Sequence, residues 1–200
     1  IAADLIRIDT SNYGDGRGPG ERAAAELVAH LLREVGIEPI ILEAAPGRTS
    51  VIAQWGDRAS SRDGLLIHGH LDVVPADAAD WRFDPFSGVV DDGFLYGRGA
   101  VDMKDFLGML LSVVRDRART GRMPARPITL AFTADEEAGG LFGAHWIVDH
   151  HRELHGAGPA DVVHRVERRA DRAPAVEHVV DEHDDLVVDA PGRDLGREQR

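Results

Sequence analysis

Between residues 19 and 36, apolar side chains at Leu27, Val28, Leu31, Leu32 and Val35 recur at three- and four-residue intervals. This spacing predicts an amphipathic helix closed by Gly36. The pattern then breaks into short apolar runs, "IEPIIL" (37–42) and "TSVIAQW" (49–55), which read as strands. A third run, "GLLIHGHL" (64–71), opens with nearly continuous aliphatic residues, as a strand covered on both faces does. In "GVVDDGFLYGRG" (88–99), Asp92-Gly93 stands between two β-prone runs and signals a hairpin. Residues 105–119 predict an amphipathic helix, 126–137 a strand running from apolar into acidic, and 140–151 a following helix. The first ten residues also look helical. Helices alternating with strands predict an α/β layer fold around a mostly parallel central sheet. Ligands of such sheets gather at the carboxyl ends of the strands.

After about Leu154 the pattern stops. Residues 156–200 contain no Ile, Phe, Tyr, Trp or Met, and only Leu186 and Leu195 among the leucines. Such a segment can bury little apolar surface. The expected division is therefore a catalytic-type domain over 1–154 and an atypical tail over 155–200, either disordered or the product of a shifted reading frame. The chain starts without Met and inside a helical pattern, which predicts a fragment of a longer protein.

Composition narrows the chemistry. A net charge of −12 argues against nucleic acid or an anionic membrane as partner. No run reaches the roughly 18 apolar residues of a membrane span and no signal peptide is visible, so a soluble, cytoplasmic protein is expected. With no cysteine, a bound metal must use His, Asp or Glu. Lys104 is the only lysine, an Arg bias in keeping with a GC-rich coding sequence.

Three segments carry candidate chemistry. In "LLIHGHLDVVP" (65–75), two-residue periodicity places His68, His70 and Asp72 on one face if the strand continues. A metal-bound His usually gives its other ring N–H to a carboxylate, which fixes its tautomer, so His70 and Asp72 suit a ligand and its orienter. The plain alternative is a hydrogen-bonded His at a strand end, and His68 reads as structural. Asp102, in "GRGAVDMKD", is either a helix N-cap or a carboxylate able to bridge two cations. Glu136 and Glu137 end an apolar strand, where adjacent side chains diverge. One could hold metal while the other takes a proton from water; the alternative is an acidic loop mouth. All three segments fall at strand ends or adjacent turns and offer ligands suited to zinc-like ions.

Together, "HGHLDVVP", "GRGAVDMK" and "DEEAGG", spaced roughly thirty residues apart, resemble the zinc-dependent metallopeptidase and amidohydrolase family M20. That family includes acetylornithine deacetylase, succinyl-diaminopimelate desuccinylase, aminoacylase-1, carnosinase-type dipeptidases and the carboxypeptidase G type. The resemblance covers residues 1–154 and implies a three-layer α/β/α catalytic domain without its lid and dimerisation domain. It implies His70 as ligand of one metal with Asp72 beside it, and Asp102 as the carboxylate bridging two metals, followed by a cis peptide bond to Met103. Glu136 matches the general base and Glu137 the ligand of the other metal. The cofactors implied are two divalent ions, zinc first, with cobalt or manganese as substitutes. The reaction implied is hydrolysis of an amide in a small N-acyl amino acid or short peptide, by a protein whose full-length relatives dimerise through the lid. The family also needs an acidic ligand about two dozen residues after the Glu pair, which by distance falls on Asp161, and a distant downstream His. Asp161 lies in "DVVHR", which lacks the family's strand-end setting. The alternatives are an inactive fragment that retains partial metal binding, and a metal-free interaction domain. The loop "DWRFDPFSG" (80–88) falls near the site by the same resemblance, with Trp81 and Phe86 either on its wall or in the core.

Overall fold

The computed structural model describes residues 1–154; the segment 155–200, including Asp161, lies outside the described residues. The chain begins with a short helix, α1 (Ala2–Ile6), and reaches the first long helix, α2 (Arg22–Arg33). Ala24, Ala25, Val28, Ala29 and Leu32 form the buried stripe of α2, with Leu27, Leu31 and Val35 packed at its edges. Gly36 follows the helix at φ 76°, the left-handed conformation that a C-terminal glycine supplies without strain. Next come β1 (Pro39–Ala45), β2 (Arg48–Trp55), β3 (Leu65–His70), β4 (Val89–Asp91) and β5 (Phe94–Tyr96). Helix α3 (Lys104–Arg119), strand β6 (Ile128–Thr133) and helix α4 (Ala144–His150) follow, with short 3-10 turns at Ala78–Asp80, Glu136–Ala138 and Arg152–Leu154. The β4–β5 hairpin turns at Asp92-Gly93, both at positive φ, as the sequence pattern predicts.

The α/β layering is as expected, but the strand directions are mixed. The main sheet runs β1-β2-β6-β3, with β1–β2 and β2–β6 antiparallel and β3–β6 parallel. Only one of these three pairings is parallel, where a mostly parallel sheet is predicted. The cause is local. Pro46-Gly47 joins β1 to β2 in a tight turn, and strands so joined must be antiparallel. The β3–β6 pair is parallel because α3 carries the crossover.

Strand alternation divides the core. Val51, Ala53, Trp55, Leu130 and Phe132 point to the face covered by α2 and α3, where they meet Val28, Leu32, Leu107, Leu111 and Val114. Ile52 and Ala131 point the other way, onto Ile147 of α4, with Leu42, Leu66 and Trp146 alongside. Helices thus lie on both faces of the sheet. Among the described residues no helix is long and apolar enough to cross a membrane.

The sheet topology fixes where the polar residues meet. His70 pairs in register with Thr133, so β3 and β6 end side by side. β2 runs against β6, and its first residues, Arg48 to Ser50, lie at that same end. Lys104 pins the N-terminal segment there: its buried Nζ donates to the carbonyls of Leu5 (3.0 Å) and Ile8 (2.8 Å). Burial lowers the pKa of this ammonium to about 8.

Candidate metal centre

His70 is the last residue of β3 and is buried, with α3 pressed close behind it. A Cβ at the preceding Gly69 would stand 2.8 Å from Leu107 Cδ2, so any larger residue between the two histidines would require the Leu107 and Met103 side chains to shift. The His70 ring has two unlike sides. Nδ1 lies 2.9 Å from the Asp72 carbonyl oxygen and 3.6 Å from its carboxylate. Nε2 faces carboxylates alone, at 3.0 Å from Asp102 Oδ1 and 3.7 Å from Glu136 Oε2. A carbonyl can only accept, so Nδ1 carries hydrogen and Nε2 is the position open to a cation or a second proton. Burial works against charging this imidazole, yet the contact with Asp72 and the charge of Glu136 raise its pKa to about 9.

Asp72 does more than orient the ring. Its fully buried carboxylate accepts from Asn12 Nδ2 (2.9 Å), Glu136 N (3.1 Å) and Glu137 N (3.1 Å). Burial raises its pKa, but His70, Asn12 and the Glu137 amide outweigh this and hold the carboxyl below its ordinary value. The orienting contact to His70 therefore comes mainly from the Asp72 main chain, while the carboxylate fixes the turn that presents the two glutamates.

Asp102 does not cap α3. Met103 occupies the N-cap, with no side-chain cap bond, and the exposed Asp102 turns toward His70. The Asp102–Met103 peptide bond is cis, as the family resemblance implies. The glutamates are placed differently from the sequence-based expectation. β6 ends at Thr133, and Asp135 adopts φ 63°, reversing the chain into one 3-10 turn over Glu136–Ala138. A strand running to Glu137 would send the two side chains to opposite faces. The turn instead leaves one ligand atom each of His70, Glu136 and Glu137 within 4.8 Å of one another. Burial, above all, raises the pKa of Glu137; His70 opposes that shift, and Asp102, Asp72 and Glu136 reinforce it.

Of the five predicted residues within 1–154, His70, Glu136 and Glu137 gather within 4.8 Å, Asp102 lies 3.0 Å from His70 Nε2, and Asp72 stands on the Nδ1 side; Asp161 lies outside the described residues. His68 is exposed near the end of β3. Trp81 carries the Arg98 guanidinium 5.2 Å from its ring centroid. Sequence reasoning missed Asn12, Glu21, Arg48 and Asp135, all buried behind the cluster. Polar residues at the start of strand "RTSVIAQW" and just ahead of helix α2 were the available signals.

The donor set fits a divalent cation. His70, Glu136 and Glu137 gather within 4.8 Å, Asp102 touches the same imidazole at Nε2, and a positive charge at that position would offset the carboxylates. Zinc takes such N and O ligands at about 2.0–2.2 Å. The described part of the molecule is therefore an α/β layer domain with an imidazole–carboxylate cluster at the strand ends, the class of architecture that serves metal-dependent hydrolases. Its family follows from sequence: the profile of Peptidase family M20/M25/M40 matches residues 66–193, more than half of the chain, and the chain belongs to that family.

Individual relatives agree. Over 151 residues the chain is 32% identical to a succinyl-diaminopimelate desuccinylase from Ruegeria pomeroyi, covering 75% of this chain and 37% of that protein. It is 34% identical over 131 residues to aminoacylase-1 from Sus scrofa, covering 65% and 32%. Among solved structures, an M20 family metallo-carboxypeptidase from Sulfolobus solfataricus shares the fold, with a TM-score of 0.64 at 22% identity over 76% of this chain and 34% of that one. A dinuclear metal binding peptidase of the M20 family from Bacillus subtilis has a TM-score of 0.54 at 18% identity, over 78% and 39%. The chain spans about a third of the length of these proteins.

Proposed function

We propose that the protein is a metal-dependent hydrolase of amide bonds, acting on small N-acyl amino acids or short peptides. The observation that carries this reading is the gathering of His70, Glu136 and Glu137, one ligand atom each within 4.8 Å of the others, with Asp102 Oδ1 3.0 Å from His70 Nε2. Family membership and relatives named for desuccinylase and aminoacylase activity support the reaction class. His70 Nε2, Glu137 and Asp102 would hold the metal ions, with Asp102 the carboxylate shared between two. Zinc is the expected metal, with cobalt and manganese as substitutes. When bound, the ions supply Lewis acidity that lowers the pKa of water and polarises the amide carbonyl.

The chain's own residues do the rest. Asp72 and its carbonyl hold the imidazole so that Nδ1 keeps its hydrogen and Nε2 stays free to coordinate. Glu136 is the more exposed glutamate, with its Oε2 3.7 Å from His70 Nε2. It stands where it can take a proton from attacking water at a carboxylate oxygen and return it to the leaving amine nitrogen. Metal binding without turnover is the second reading, favoured by one point: among the described residues the cluster contains a single imidazole.

Hydrolysis of a panel of N-acetyl and N-succinyl amino acids and dipeptides, with zinc, cobalt or manganese, tests both. Wild-type turnover that Glu136→Ala abolishes while metal content is retained supports hydrolysis with Glu136 as base. Unchanged turnover in Glu136→Ala removes that assignment. Metal uptake with no turnover in the wild type favours the second reading.

A further inference from the structure

Resting on the metal-centre reading above, we infer that Asn12 is a positioning residue: it locks Asp72 and, through it, the Glu136–Glu137 turn. All four hydrogen-bonding positions of its side chain are used. Oδ1 accepts from Arg48 Nη2 (2.8 Å) and from Gly14 N (3.0 Å). Nδ2 donates one hydrogen to Asp72 Oδ2 (2.9 Å) and one to Asp135 Oδ1 (3.1 Å). Two donors on one side and two carboxylates on the other leave only one orientation of the amide possible.

The surroundings hold that orientation. Arg48 is anchored by Glu21, which accepts from Arg48 Nη1 at 2.5 Å and from Thr49 N at 3.3 Å. Glu21 directly precedes α2, so the chain of bonds runs from a core helix, through the first residue of β2, to the site. Asp135 closes the other side: its Oδ2 accepts from Phe142 N (3.0 Å), and Oδ1 lies 3.8 Å from Arg48 Nε. Asn12 thus stands between two buried carboxylates, Asp135 directly ahead of the glutamates and Asp72, which accepts from their amides. One of them, Asp72, takes its other bonds from the amides of Glu136 and Glu137. Removing Asn12 frees Asp72 to rotate, and the turn loses the anchor of both amides. The role is one of placement, since Asn12 reaches neither Nε2 of His70 nor the carboxylate oxygens that face it.

Asn12 is the only asparagine in the chain, so asparagine-selective isotope labelling separates its side-chain amide resonances from those of Gln54 and Gln199. In the metal-free wild-type chain, its two Nδ2 hydrogens are expected to exchange at least a hundredfold more slowly than a free primary amide. In Asn12→Ala, exchange of the Glu136 and Glu137 backbone amides should rise tenfold or more. Asn12→Ser, the milder change, should give a smaller rise in the same two amides. Gln54→Leu, which loses its bonds to Thr129 and the Leu154 carbonyl away from the site, should leave both amides unchanged. Cobalt titration of the same proteins provides the second arm, with affinity falling tenfold or more in Asn12→Ala and unaltered in Gln54→Leu. Unprotected Asn12 hydrogens, or Glu136 and Glu137 amides indifferent to both Asn12 variants, would overturn the inference whatever cobalt does. So would exposed amides with undiminished cobalt affinity. If the amides respond but the wild type binds no cobalt, Asn12 positions the turn and the metal reading alone falls.

Discussion

Two buried regions of this molecule meet at the sheet and are held together by different physics. Under α2 and α3, Val28, Leu32, Leu107, Leu111, Leu130 and Phe132 pack as an apolar core, where burial is non-directional. At the strand ends, Asn12, Glu21, Arg48, Asp72 and Asp135 are buried nearly as deeply, yet each depends on a specific partner at hydrogen-bond distance. The core gives the fold its stability. The polar cluster, which desolvates several charges, gives placement instead. Its cost is tolerated because a carboxylate with three fixed donors cannot wander, and His70 and the glutamates inherit that fixity.

Substitutions should separate the two regions. Phe132→Ala empties a fully buried core position and should cost about 3–5 kcal/mol in denaturant unfolding. The cost should be the same at pH 5 and pH 8, because no charge is involved. Arg48→Met leaves Glu21 buried without its cation, for a loss of about 3 kcal/mol at pH 8. Here pH matters. Burial already outweighs Arg48 and raises the folded pKa of Glu21, and losing Arg48 raises it further. A raised carboxyl pKa favours folding below the unfolded value and loses that contribution as pH rises through the folded value. The Arg48→Met penalty should therefore shrink from pH 8 to pH 5, and Glu21→Gln in the same chain should recover much of it. Equal penalties at both pH values would erase the distinction between core and cluster. Thr10→Val removes a single bond, from Thr10 Oγ1 to the Leu71 carbonyl at 2.7 Å, between the N-terminal segment and the site strand. A loss of about 1 kcal/mol is expected from thermal unfolding.

The same division explains what could be seen in the sequence. Apolar periodicity located α2, β1, β2, β3, α3, β6 and α4, because each must face a core. His70, Asp102, Glu136 and Glu137 were visible because they stand where apolar runs or glycine turns stop. The turn after β6 was misplaced because the φ of 63° at Asp135 comes from packing that sequence does not display: its carboxylate is held by Asn12 and the Phe142 amide. The polar network was missed for a related reason. Arg48 meets Glu21 and Asn12 from 27 and 36 residues away, and nothing local marks any of them as buried. Strand direction departs from the expected parallel arrangement at Pro46-Gly47, the tight turn that makes β1 and β2 antiparallel.

The central claim is that His70 and the surrounding carboxylates form a metal site. Equilibrium dialysis against zinc, followed by metal analysis of the 200-residue chain and of His70→Ala, Glu137→Ala and Gln54→Leu, tests it most directly. The account predicts zinc retained by the wild type and Gln54→Leu, and lost from His70→Ala and Glu137→Ala while their circular dichroism stays that of the folded chain. Zinc retained equally by all four proteins, or by none, would contradict it.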